Sequence, residues 1–131
     1  MIHTIFSIAT GEILCIYSGE NLIGNLALYP DAGSYEGEVS DECYFVDGIP
    51  VSRPLMSVTL DKYSFLADGA DGVTITGAPA GSMFVARHES GAKVSGLISD
   101  PDVFQSDIAG LYRLQIELWP YLPWTGVVVG N

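Results

Sequence analysis

The sequence predicts a mainly β protein, with a small N-terminal α+β module over residues 1–53 and an antiparallel β-sandwich over residues 55–131. Three observations lead there. Fifteen glycines and seven prolines among 131 residues supply frequent turns, with β-branched and aromatic residues filling the stretches between them. From Met56 onward, short runs of alternating apolar and polar residues recur at roughly 8–12-residue spacing, the pattern of a two-sheet fold. Finally, "SRP" at residues 52–54 marks a boundary, because Pro54 forces the residue before it into an extended conformation.

The N-terminal module opens with a hairpin. In "IHTIFSIATGEILCIYSG", Ile2, Thr4, Phe6 and Ile8 share one parity, Ala9 to Glu12 turn the chain, and Ile13 to Tyr17 returns. Ile5, Leu14 and Ile16 make both faces partly apolar, so the hairpin is expected to be covered on both sides. "SGENLIGNLALYPDAG" is the one helical candidate. Ser18 would cap it, Glu20 suits the positive end of the dipole, and Leu22, Ile23, Leu26 and Ala27 form a stripe that Pro30 ends. Gly24 in its middle costs about 1 kcal/mol relative to alanine, so this helix must lean on tertiary packing. Cys43 to Val46 reads as a strand and Asp47-Gly48 as a turn. Ile49 to Ser52 is a short strand that Pro50 confines to a sheet edge.

In the sandwich, the expected strands are Ser57–Leu60, Val73–Thr76, Met83–Arg87, Lys93–Ile98, Leu111–Trp119 and Thr125–Val129. The clearest is "LYRLQIELW". Tyr112, Leu114, Ile116 and Leu118 point one way, and Arg113, Gln115 and Glu117 the other, which puts one face in the core and one in water.

Composition narrows function. Apolar residues make up 48% and charged residues only 16%, which excludes disorder. The start, MIHTIFSIATGE, lacks the basic and long apolar regions of a secretory signal, and no apolar run reaches the roughly 20 residues that cross a bilayer. Synthesis and folding in the cytoplasm, with no membrane insertion, are therefore expected. A net charge of −11 with five scattered basic residues argues against nucleic acid. Charge is uneven: residues 1–54 hold eight acids against Arg53 alone, and residues 55–131 hold eight acids and four bases. Cys15 and Cys43 read as reduced, buried small hydrophobes rather than a disulfide.

Candidate sites are few. Asp61, Asp68 and Asp71 in "DKYSFLADGADGVTITG" invite comparison with a calcium loop, but the spacing of ligands and the late Glu of an EF-hand are missing. They read as turns in which glycine supplies positive φ. Asp100 and Asp102 read as loop-shaping residues. Glu36, Glu38, Asp41 and Glu42 crowd "SYEGEVSDE", either as a solvated rim or as an acidic docking patch for a neighbouring subunit. His3 and His88, the only histidines, read as surface polar residues, the second in a hairpin turn. No catalytic residue, cofactor or metal is expected, because no nucleophile–base pair, zinc spacing or phosphate loop is present. In "LWPYLPWTG", Trp119, Tyr121 and Trp124 with two prolines form a stiff aromatic segment. It either packs against its own protein or anchors an intersubunit contact, and its rings also suit stacking on sugars.

The stretches "SVTLDKYSFLADGADGVTITG" and "AGLYRLQIEL" resemble the early and closing strands of bacterial immunoglobulin-like domains found in adhesins and phage tail proteins. "ATGEIL", "YFVDGIPVSRPLMSVTLD" and "ELWPYLPW" are similar to segments of small proteins from tailed-phage structural regions. The resemblance implies an immunoglobulin-like sandwich in a virion protein of the phage tail. It would dock on other tail proteins through apolar and aromatic surface and an acidic rim, in several copies set by tail symmetry. Two other roles stay open: a tail-fibre assembly chaperone absent from the mature virion, and a carbohydrate-binding or adhesion module that touches the host.

Overall fold

The computed structural model describes residues 2–19 and 31–131, and every regular element among them is a β-strand. The expected helix falls on residues 20–30, outside the described residues; Ser18, read as its cap, instead ends a strand. The chain divides into two compact units, Met1–Arg53 and Pro54–Asn131.

In the first unit, β1 (Ile2–Ser7) lies between β2 (Ile13–Ser18) and β3 (Ala32–Glu36) in an antiparallel sheet of order β2-β1-β3. The expected hairpin is thus two-thirds of a sheet. Its central strand buries Thr4, Ile5 and Phe6 in succession, on both faces, but the expected cover does not extend to β2, where Leu14 and Ile16 are exposed. β3 has no alternating apolar pattern, which is why the sequence hides it. It pairs because Gly33 sits opposite Phe6, where a Cβ would come within 2.6 Å of the Phe6 ring. That ring stacks on Phe45 at 4.1 Å between centroids.

Phe45 belongs to a second, two-stranded sheet of β4 (Cys43–Val46) and β5 (Ile49–Ser52), at the boundaries the sequence suggests. Asp47 and Gly48 both have positive φ, 51° and 76°, as a two-residue hairpin turn requires. The Phe45 N–H donates to the Gly11 carbonyl at 2.9 Å, tying this hairpin to the β1–β2 turn. Gly11 has φ of 78°, and a Cβ there would lie 2.1 Å from the Phe45 oxygen, so the contact requires glycine.

The second unit is a β-sandwich. Its strands are β6 (Thr59–Leu60), β7 (Ser64–Phe65), β8 (Gly72–Thr76), β9 (Met83–His88), β10 (Lys93–Leu97), β11 (Asp102–Gln105), β12 (Gly110–Glu117) and β13 (Trp124–Gly130). One sheet has the order β10-β9-β12-β13-β7 and the other β11-β8-β6. All pairings are antiparallel except the short one between β7 and β13. Inward residues of both sheets meet in one core, in which Val73, Ile75, Leu114, Ile116 and Val128 are fully buried. Each such side chain contributes about 1.5–3 kcal/mol relative to exposure. β12 alternates as its sequence dictates, with Tyr112, Leu114 and Ile116 buried and Arg113 and Glu117 exposed.

The loop into β12 is closed by a ring of hydrogen bonds. The Tyr112 hydroxyl donates to the Ile108 carbonyl at 2.6 Å and, having one proton, accepts from the Ser106 hydroxyl at 2.6 Å. Ser106 Oγ in turn accepts the Ile108 N–H at 3.1 Å. Each member polarises the next.

Candidate interaction surface

The acidic segment of the first unit is a shaped loop. Thr4, fully buried on β1, donates its hydroxyl to the Gly37 carbonyl at 2.7 Å and accepts the Val39 N–H at 3.0 Å. The Gly37 N–H reaches the Ile2 carbonyl at 2.8 Å, and Ser40 Oγ accepts the Glu42 N–H at 3.2 Å. Fixed in this way, Glu36, Glu38, Asp41 and Glu42 all remain exposed. Arg53 reaches the segment through the Asp41 carbonyl, its Nη1 donating at 3.4 Å.

The aromatic segment is split. Trp124, at the start of β13, has inward parity, and its indole covers Gly126 and packs against the sandwich core. Trp119 is 38% exposed. Tyr121 is half-buried in a turn closed by its N–H on the Leu118 carbonyl at 2.8 Å.

The carboxylates of "LADGADG" are spent on their own loop. Asp68 Oδ1 accepts the N–H groups of Ala70 and Asp71 at 2.9 and 2.8 Å. Asp71 accepts the Leu66 N–H at 2.8 Å and pairs with Lys62 at 2.6 Å. Asp61 Oδ1 accepts the Thr74 N–H at 2.8 Å. These bonds set the protonation. The backbone N–H groups of Asp71 and Ala70 hold Asp68 below the ordinary aspartate range. The Lys62 hydrogen bond, then the Leu66 N–H, do the same for Asp71, and that bond raises Lys62. Asp100 accepts the Gly77 N–H at 2.8 Å, and Asp102 accepts the N–H groups of Ser99 and Val103. Among the described residues, no group of three His, Cys, Asp or Glu side chains is arranged to hold a metal. Cys15 and Cys43 are half-buried free thiols of the first unit.

Both histidines depart from the sequence reading. His88 is not a surface turn residue. It ends β9 with inward parity, edge-on to Tyr112 at 4.8 Å, its ring nitrogens bonded to Ser90 Oγ at 2.7 Å and the Ala109 carbonyl at 2.8 Å. His3 is half-buried, with Nδ1 enclosed and without a hydrogen-bond partner among the described residues.

A feature the sequence does not announce lies on the outer face of the five-stranded sheet. Lys93 pairs with Arg87, and Arg87 with Arg113, so three exposed cations stand in one row across β10, β9 and β12. Three of the five bases, expected to be scattered, are therefore clustered. Outward parity is legible for Arg113 in β12, but only the strand register brings the three together. No family model, curated protein or solved structure matches the chain.

Proposed function

We propose that the second unit is an immunoglobulin-like domain and that the chain is a structural component of a phage tail, docking on other tail proteins in several copies. The observation that carries this reading is the Tyr112 ring. Immunoglobulin-like sandwiches place a tyrosine near the start of strand F whose hydroxyl returns to the backbone a few residues upstream. Here Tyr112, the third residue of β12, which reads as F, reaches Ile108, four residues back. The order β10-β9-β12-β13-β7 over β11-β8-β6 fits C′, C, F, G and a split first strand over E, B and A. Two residues beyond the tyrosine, where antibody domains carry a disulfide cysteine, stands buried Leu114; facing β8 supplies Val73 and Ile75. Apolar packing thus replaces a covalent bridge, as suits a domain folded in a reducing compartment.

The tail assignment rests on the resemblance of "SVTLDKYSFLADGADGVTITG" and "ELWPYLPW" to phage structural proteins, and on surfaces suited to docking rather than solvation alone. The exposed acidic loop is held in shape by Thr4, and Trp119, Leu55 and Ile49 present apolar area to solvent. Quantitative mass spectrometry of purified virions is the test. A fixed, symmetric copy number supports the role. Presence only in assembly intermediates means an assembly chaperone, and absence from both removes the reading.

A further inference from the structure

From the sheet register, we infer that the outer face of β9, β10 and β12 is the seat for the acidic loop of a second copy of this chain. The inference rests on the proposed multi-copy role and names the contact that builds it. The face holds Lys93, Arg87 and Arg113 side by side across neighbouring strands. Like charges directly opposite one another destabilise a sheet, so the row is a local cost. Among the described residues, no carboxylate lies within pairing distance of these three cations. Arg87 reaches only the Gln115 amide oxygen, at 3.3 Å, while Gln115 in turn donates to Glu117. Glu89, the other acid on this face, lies against Gly110.

The row borders an open depression of about 580 Å³ whose walls include Arg87, Arg113, Leu111 and Val127. The same face carries exposed apolar side chains at the other end of β9 and β10, among them Leu97, 74% exposed, and Met83, 46% exposed. Cations beside exposed apolar groups describe an interface with both an electrostatic guide and area to bury. A chain of net charge −11 with only three clustered cations is a poor ligand for nucleic acid. It does carry the complementary surface itself: Glu36, Glu38, Asp41 and Glu42, four exposed carboxylates within seven residues on a loop fixed by Thr4. Each copy thus carries both halves of the contact, which can repeat from copy to copy or be exchanged reciprocally between two copies.

Charge reversal on the full chain tests this, with sedimentation velocity as the readout. The wild-type chain is expected to self-associate in a concentration-dependent way. Arg87→Glu/Arg113→Glu and, separately, Glu36→Lys/Glu38→Lys/Asp41→Lys/Glu42→Lys should each associate at least about tenfold more weakly. An equimolar mixture of the two should regain association, because each then offers the charge the other lacks. Arg87→Gln/Arg113→Gln, which adds no new charge, should also be weakened, with a thermal midpoint no lower than that of the wild type as the check on folding. A wild-type chain monomeric to about 1 mM overturns the inference. So does association that either reversed variant leaves intact, or reversed variants that fail to recover when mixed. Virions that contain the chain while Arg87→Glu/Arg113→Glu associates normally would leave the proposed role standing and remove only this face.

Discussion

Replacing Tyr112 by phenylalanine isolates the hydroxyl ring at the base of β12. The phenyl group keeps the ring contacts to Phe65, Phe104 and His88, at 6.0, 5.0 and 4.8 Å, so no cavity opens. What is lost is the hydrogen bond to the Ile108 carbonyl and the one from Ser106, both 2.6 Å. An intramolecular hydrogen bond is worth about 0.5–1.5 kcal/mol net, so the substitution should destabilise the second unit by about 1–3 kcal/mol. For a domain of this size, 1 kcal/mol moves the midpoint by about 4–8 °C, and a fall on the order of 10 °C follows. Both tryptophans, Trp119 and Trp124, lie in this unit, so their fluorescence during urea unfolding reports on it alone. Ser106→Ala alone should cost less, and the double variant should fall short of the sum, since the two hydroxyls share a bond. Strict additivity within about 0.3 kcal/mol, or Tyr112→Phe indistinguishable from wild type, would refute the closed ring.

Other outcomes follow from the same contacts. Thr4→Val keeps the shape of a fully buried side chain but removes its bonds to Gly37 and Val39. It should cost about 1–3 kcal/mol and speed hydrogen exchange at the Val39 amide; unchanged protection there would contradict the loop's anchoring. Gly11→Ala meets the Phe45 oxygen in a left-handed conformation. A loss of about 2–4 kcal/mol by calorimetry is expected, and a neutral result would mean that the turn and the β4–β5 hairpin are not in contact. For Asp71→Asn the sign is set by the lowered pKa of Asp71. The wild-type advantage is full above the ordinary aspartate value near pH 4 and disappears as pH falls through the lower folded value. A urea-midpoint difference that stays constant down to about pH 2 would contradict it. The raised Lys62 acts at the other end. Its contribution persists below the ordinary lysine value of about 10.4 and is lost as pH rises through the folded value, so Lys62→Met should lose its disadvantage only in strong alkali.

Which parts of this molecule are legible in its sequence depends on whether the deciding contact is local. β12 reads correctly because its alternation is carried by eight successive residues, and β4–β5 because Asp47-Gly48 supplies the turn at the place where it is needed. β3 and β11 do not read as strands. "AGSYE" and "DVFQ" carry little periodic signal of their own and are recruited by partners far along the chain, Phe6 against Gly33 and Val73 beside Phe104. His88 fails for the same reason, since the Ala109 carbonyl that fixes it lies 21 residues away.

The charges show this dependence in its sharpest form. Taken one at a time, Arg87, Lys93 and Arg113 are ordinary polar residues on the water side of three strands, each unremarkable beside acids that outnumber the bases 16 to 5. Register alone turns them into a row, and a slip of one residue in β9 would send Arg87 to the core side and destroy it. The cluster is therefore tied to the same pairing that buries Ala86 opposite Leu114, and the sandwich core fixes the spacing of its own outer cations. A surface held in this way is pre-organised: little backbone ordering remains to oppose a partner, and the repulsion within the row is relieved when carboxylates arrive.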